Sequence, residues 1–153
     1  MMRPVLGIPL APLALGVAGL IPFIAGALLR LGVISTVPLM PGELATDGAA
    51  LILGYGTIIL AFMSGILWGF ATKSDDPMLY ALSVVPALWG FLNNGEGSDS
   101  LIWLMTGFIL LWLLEFVYIR RNLTPEWWRR MRSGLQFIVL ICIYLGTMSP
   151  PTP

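Results

Sequence analysis

The stretch Tyr55-Gly56-Thr57-Ile58-Ile59-Leu60-Ala61-Phe62-Met63-Ser64-Gly65-Ile66-Leu67-Trp68-Gly69 decides the fold. It lies inside an uncharged run from Gly48 to Thr72, long enough to cross a bilayer as one helix. Thr57, Ala61, Gly65 and Gly69 recur every fourth residue, so small side chains line one face of that helix. Lipid gives helices no hydrophobic reason to associate, and a groove that admits a neighbouring backbone is the usual packing device. The stripe is therefore expected to be a helix-packing groove around which the other helices gather.

Working outward, 58% of the 153 residues are hydrophobic and 10% are charged, against roughly 25% charged in a soluble domain. The apolar residues come in long blocks. That pattern predicts an all-α integral membrane protein, a single membrane domain over 1–153. Five transmembrane helices are expected, at about 9–31, 48–72, 77–93, 101–120 and 125–148. The zero net charge leaves no electrostatic footprint for nucleic acid. Histidine is absent and Cys142 is the one cysteine, so zinc, bis-histidine haem and iron–sulfur clusters lack ligands. No metal, cofactor or catalytic residue is expected, and no internal disulfide can mark the redox compartment.

The first helix carries Ala14, Ala18, Pro22 and Gly26 at four-residue spacing, a second small-residue stripe suited to the groove of the second helix. Pro22 removes a backbone donor and crowds the carbonyl of Ala18, so a bend is expected there. Gly32 is placed to end the helix. Ala25-Gly26-Ala27 resembles a leader cleavage site, but Arg3 alone precedes the apolar block, and the segment is expected to remain as a helix.

Pro38, Pro41 and Gly42 make Val33 to Thr46 a loop, and Asp47 is the expected N-cap of the second helix. Asp76 followed by Pro77 opens the third, which contains Pro86. The polar stretch Asn93 to Ser100 is a turn, with Ser98 or Asp99 expected to cap the fourth helix. Thr124-Pro125-Glu126 repeats the capping logic for the fifth. Trp127, Trp128, Arg129, Arg130 and Arg132 then suit the headgroup layer, as interface anchors.

With five spans, Arg3, Lys73, Arg120, Arg121, Arg129, Arg130 and Arg132 fall on one side and Arg30 alone on the other. Positive residues stay on the side from which insertion occurs, which puts the N-terminus on the cytoplasmic or matrix side and the C-terminus opposite.

Two residues invite a chemical reading. Glu115 is the one acid inside an apolar span, and an ionisable group at that depth is a functional candidate. An ion pair with an arginine of the basic loop (Arg120, Arg121 or Arg129) and a proton-relay role both remain open. Ser64 has no base in the apolar spans to activate it, so a hydrogen bond to a carbonyl or a neighbouring helix is expected.

The second-helix motif resembles the signature of a bacterial and mitochondrial inner-membrane family of unknown function that includes human transmembrane protein 69. Gly19-Leu20-Ile21-Pro22-Phe23, Tyr80-Ala81-Leu82-Ser83-Val84-Val85-Pro86 and Pro125-Glu126-Trp127-Trp128-Arg129-Arg130-Met131-Arg132 are similar to it too, in the same order. The chain departs from that pattern at Ser64, where glycine is usual, at Leu67, where a polar or basic residue is common, and at Glu115, where the acid is commonly aspartate. The resemblance implies a five-helix protein of the bacterial or mitochondrial inner membrane. The small-residue stripes and the lack of metal ligands point separately to the bilayer and other membrane-protein subunits as the expected partners. Two functions stay open: a non-catalytic subunit or assembly partner of a respiratory or photosynthetic complex, and a small transporter or proton conductor that uses Glu115.

Overall fold

Asp47 opens the longest helix: its carboxylate accepts from the backbone N–H of Ala49 at 2.8 Å and of Ala50 at 3.4 Å. Such a cap satisfies donors that a helix start leaves orphaned. In the computed structural model, which describes residues 7–92, 95 and 98–148, six α-helices follow one another. They are α1 (Leu10–Ala18), α2 (Ile21–Arg30), α3 (Gly48–Ala71), α4 (Pro77–Phe91), α5 (Ser98–Arg120) and α6 (Trp128–Gly146), with a 3-10 turn at Gly42–Ala45 before α3. Leu10–Arg30, α3 and α5 are long and apolar enough to cross a membrane, and α4 is a shorter apolar helix.

The first helix is broken, not merely bent. Gly19 and Leu20 interrupt it, and Pro22 enters the first turn of α2, where its missing donor is harmless. Gly32 does end α2: at φ 69° it turns the chain, and the Val33 N–H reaches back to the Leu28 carbonyl at 3.0 Å. Asn122, at φ 56°, closes α5 the same way, with Leu123 N–H on Tyr118 O at 3.1 Å.

Other boundaries shift by a turn. Ser98 and Asp99 lie inside the first turn of α5 and do not precede it, while Asn93, Asn94, Glu96 and Gly97 of the expected polar turn lie outside the described residues. Thr124 does not cap α6. The chain leaves Asn122 into a backbone turn, Trp128 N–H bonds the Pro125 carbonyl at 3.0 Å, and the helix begins three residues later than expected.

Treating α1 and α2 as one broken column, the helices run alternately up and down. At one end Lys73 Nζ donates to the Leu123 carbonyl at 2.9 Å and Arg121 pairs with Asp76. That guanidinium, helped by the Met78 N–H, holds the Asp76 carboxyl below the usual aspartate range. At the other end Arg30 Nε donates to the Gly146 carbonyl at 3.0 Å, so the first column clasps the last. Trp89 and Trp103 lock α4 to α5 there. Their rings stack 4.1 Å apart, and each indole N–H donates to the other's backbone carbonyl, at 2.9 and 3.0 Å.

At the centre stands α3, in contact with α2, α4, α5 and α6. Its inward face is Gly48, Ile52, Gly56, Leu60, Ser64, Leu67 and Ala71, all buried. The expected groove is a different face. Thr57 touches the space over Gly90 of α4, but Ala61, Gly65 and Gly69 are exposed, and a Cβ on Gly65 or Gly69 would meet nothing within 4 Å. Ala14 and Ala18 are exposed as well, because the break at Gly19 takes α1 off the line of α2. Of that stripe Gly26 is packed: a Cβ there would lie 2.6 Å from Ile52 Cγ1 and 2.9 Å from the Gly48 carbonyl oxygen. The close approach of columns is real, but it uses Gly26, Gly48 and Gly56.

Candidate functional site

Proline at position 86 costs α4 a backbone donor and loosens its ladder. Ser64 of α3 braces the neighbouring rung. Its hydroxyl donates to the Ser83 carbonyl and accepts from the Ala87 N–H at 3.4 Å, bridging two groups that would otherwise bond each other. Ser64 is thus a strut between α3 and the Pro86 turn of α4, as its lack of a base implied.

The polar centre of the molecule lies on the seam between α5 and α6. Residues Leu104, Phe108, Leu111, Glu115 and Tyr118 form the buried face of α5, which places a carboxylate among apolar neighbours. On α6 the buried face runs Trp128, Arg132, Gln136, Val139, so helical phase brings Arg132 opposite Glu115. Arg132 Nε donates to Glu115 Oε1 at 2.8 Å. Its Nη2 reaches Gln136 Oε1 at 3.4 Å, and Gln136 Nε2 donates to the Phe108 carbonyl at 2.9 Å. Glu115 is 1% exposed and Arg132 6%, so this is a buried pair with a hydrogen-bonded surround. Glu115 Oε2 and Trp128 Nε1 have no hydrogen-bond partner among the described residues.

The partner of Glu115 is therefore Arg132, not Arg120, Arg121 or Arg129. Arg121 is taken by Asp76, and Arg120 and Arg129 are exposed. The five expected interface anchors divide. Arg129 and Arg130 stay at the surface with Trp127 half-buried beside them, whereas Trp128 and Arg132 turn inward. Trp128 packs edge-on to Phe70 at 5.0 Å, and the Arg132 guanidinium lies 6.0 Å from the Trp128 ring. A signal for this inward turn is present in the chain: Trp128, Arg132 and Gln136 share one helical face, and a glutamine that deep needs a partner.

Beside the cluster opens a cavity of ≈ 450 Å³ between α1, α2, α3 and α6. Leu20, Phe23, Met63, Ile66 and Val139 contribute apolar wall, Trp127 and Trp128 line it, and Arg132 is its one charged lining residue among those described. No group of histidine, cysteine, aspartate or glutamate among the described residues is arranged to hold a metal ion.

Membrane-length apolar helices around a buried ion pair define the class: a multi-pass helical membrane protein. The chain belongs to the family described as "Protein of unknown function (DUF3429)", which matches residues 8–148. Transmembrane protein 69 of Xenopus tropicalis is 28% identical over 145 residues, covering 88% of this chain and 53% of that protein. The chain thus spans about half the length of that relative. No solved structure matches.

Proposed function

We propose that the chain is a non-catalytic helical subunit or assembly partner of a larger inner-membrane complex, such as a respiratory or photosynthetic one. It would span the membrane five times, with its N-terminus on the cytoplasmic or matrix side. The observation that carries this reading is the outward face of α3. Ala61, Gly65 and Gly69 present a strip with no Cβ obstruction at the glycines, open to another helix, while the ionisable groups at membrane depth are engaged with each other. Small residues facing outward let a neighbouring backbone approach closely. The orientation is supported by the cations gathered at one end: Lys73, Arg120, Arg121, Arg129 and Arg130, against Arg30 at the other.

The two halves of the proposal have separate tests. Gly65→Leu fills the outer strip and touches nothing inside, so it is expected to accumulate and melt like the parent while losing co-purifying subunits in gentle detergent. Retention of the same partners, identified by mass spectrometry, would sink the assembly reading. For topology, cysteines placed at Ser74 and Ser98 are expected to react with an impermeant thiol reagent from opposite faces, and Cys142, 5% exposed, is expected to stay unlabelled. Labelling of both from one face overturns the five-span arrangement.

A proton-conducting reading has one observation in its favour, the unpartnered Glu115 Oε2. The Arg132 pair, with no second acid bonded to Glu115 among the described residues, favours a structural role instead.

A further inference from the structure

The cavity beside Arg132 is not used by the assembly face on α3, and its lining is specific enough to name an occupant. We propose that it binds one anionic phospholipid, with an acyl chain along Leu20, Phe23, Met63 and Ile66 and the phosphate at Arg132.

Size comes first. The volume of ≈ 450 Å³ falls within the roughly 300–1,000 Å³ of ordinary ligand pockets. A helix with its side chains is about 10–12 Å across, so this space would take roughly one turn of it. A docked helix needs more room than that, and a flexible methylene chain does not. Leu15 of α1 and Phe62 of α3 line the cavity and are 74% and 62% exposed, so a chain can enter sideways from surrounding lipid.

Chemistry then selects the headgroup. Lipid tails are as apolar as leucine, so a chain that moves from bilayer to cavity gains little by itself. Preference must come from the polar end. Arg132 is more than nine-tenths buried and lines the cavity, and Glu115 holds its guanidinium through Nε. A guanidinium carries five N–H donors in a planar fork suited to phosphate oxygens. Nε and Nη2 use two of them on Glu115 and Gln136, which leaves donors for a ligand. Arg129 and Arg130 stand in the first turn of the same helix, adding positive field at the headgroup level. Trp127 and Trp128 line the same end, as indoles do where a chain meets its headgroup.

The test uses the delipidated full chain in detergent, titrated with dioleoyl phosphatidylglycerol or dioleoyl phosphatidylcholine and read by native mass spectrometry. The expected result is one phosphatidylglycerol per chain, bound about tenfold tighter than phosphatidylcholine, as one added charge-assisted hydrogen bond supplies. Ile59→Trp, which fills the cavity from α3, is expected to abolish that adduct. The double variant Glu115→Gln, Arg132→Gln removes both charges together, strands neither, and is expected to bring phosphatidylglycerol down to the phosphatidylcholine level. Equal binding of the two lipids by the parent overturns the proposal, as does displacement of phosphatidylglycerol by a neutral quinone. Survival of the preference in the double variant overturns Arg132 as its source. If a variant fails to fold, the parent's own preference decides.

Discussion

Gly48→Ala is expected to keep α2 and α3 from closing, although alanine ordinarily stabilises a helix by about 0.5–1 kcal/mol over glycine. The sign reverses because of what stands opposite. A methyl group at position 48 would overlap the backbone carbonyl oxygen of Gly26 and lie 2.9 Å from Arg30 Cγ. Backbone cannot rotate out of the way as a side chain does, so the columns must separate. The loss is expected to exceed the ~1–3 kcal/mol usual for overpacking, since it also strains the Arg30 clasp on Gly146. Gly65→Ala on the same helix is the control, with nothing within 4 Å of its new Cβ. Thermal melts in detergent should show Gly48→Ala far below the parent and Gly65→Ala at or above it. Equal melting of the two variants would show that the close crossing is not what holds the bundle.

The second large effect concerns the buried pair. Arg132→Gln leaves Glu115 as a charge with no counter-ion, and breaking such a pair by removing one partner costs about 3–5 kcal/mol. Glu115→Gln should cost less, about 1–3 kcal/mol, because the amide oxygen still accepts from Arg132 Nε. Changing both residues together should recover much of the Arg132→Gln loss, since no lone charge remains. A double-mutant cycle on melting or denaturant midpoints reads this directly, and simple additivity would refute the coupling. In vesicles, neither the parent nor Glu115→Gln is expected to conduct protons. A pH-driven flux in the parent that Glu115→Gln abolishes would replace the subunit reading with a carrier.

Local features were readable from the chain because their causes are local. Asp47 and Asp76 cap helices with bonds two or three residues away, and Gly32 needs only its own backbone freedom. The inward face of α3 was not readable. In soluble proteins the polar face announces the outside, but here Ala61, Gly65 and Gly69 outside are as small and apolar as Gly48 and Gly56 inside. Lipid and core make the same demand, so periodicity yields two grooves and cannot rank them. Pro22 marked the disturbance of the first helix, yet the break falls at Gly19 and Leu20, since the proline ring presses on the turn before it. The Trp89–Trp103 clasp joins two elements through side chains and backbone, and no spacing rule encodes it. Arg132 looked like its neighbours Arg129 and Arg130, and only the partner it meets sets it apart.

The way the last helix is satisfied bears on how the protein is made. With Arg129, Arg130, Arg132 and Gln136 in its first half, α6 does not join the three stretches apolar enough to enter lipid on their own account. What answers its polar groups, Glu115 and the Phe108 carbonyl, belongs to the helix synthesised just before it. α6 is therefore expected to enter the membrane together with α5, as the second arm of a hairpin that satisfies its polar groups, and not alone. Arg30, on the first column, closes the ring by donating to the Gly146 carbonyl of the last.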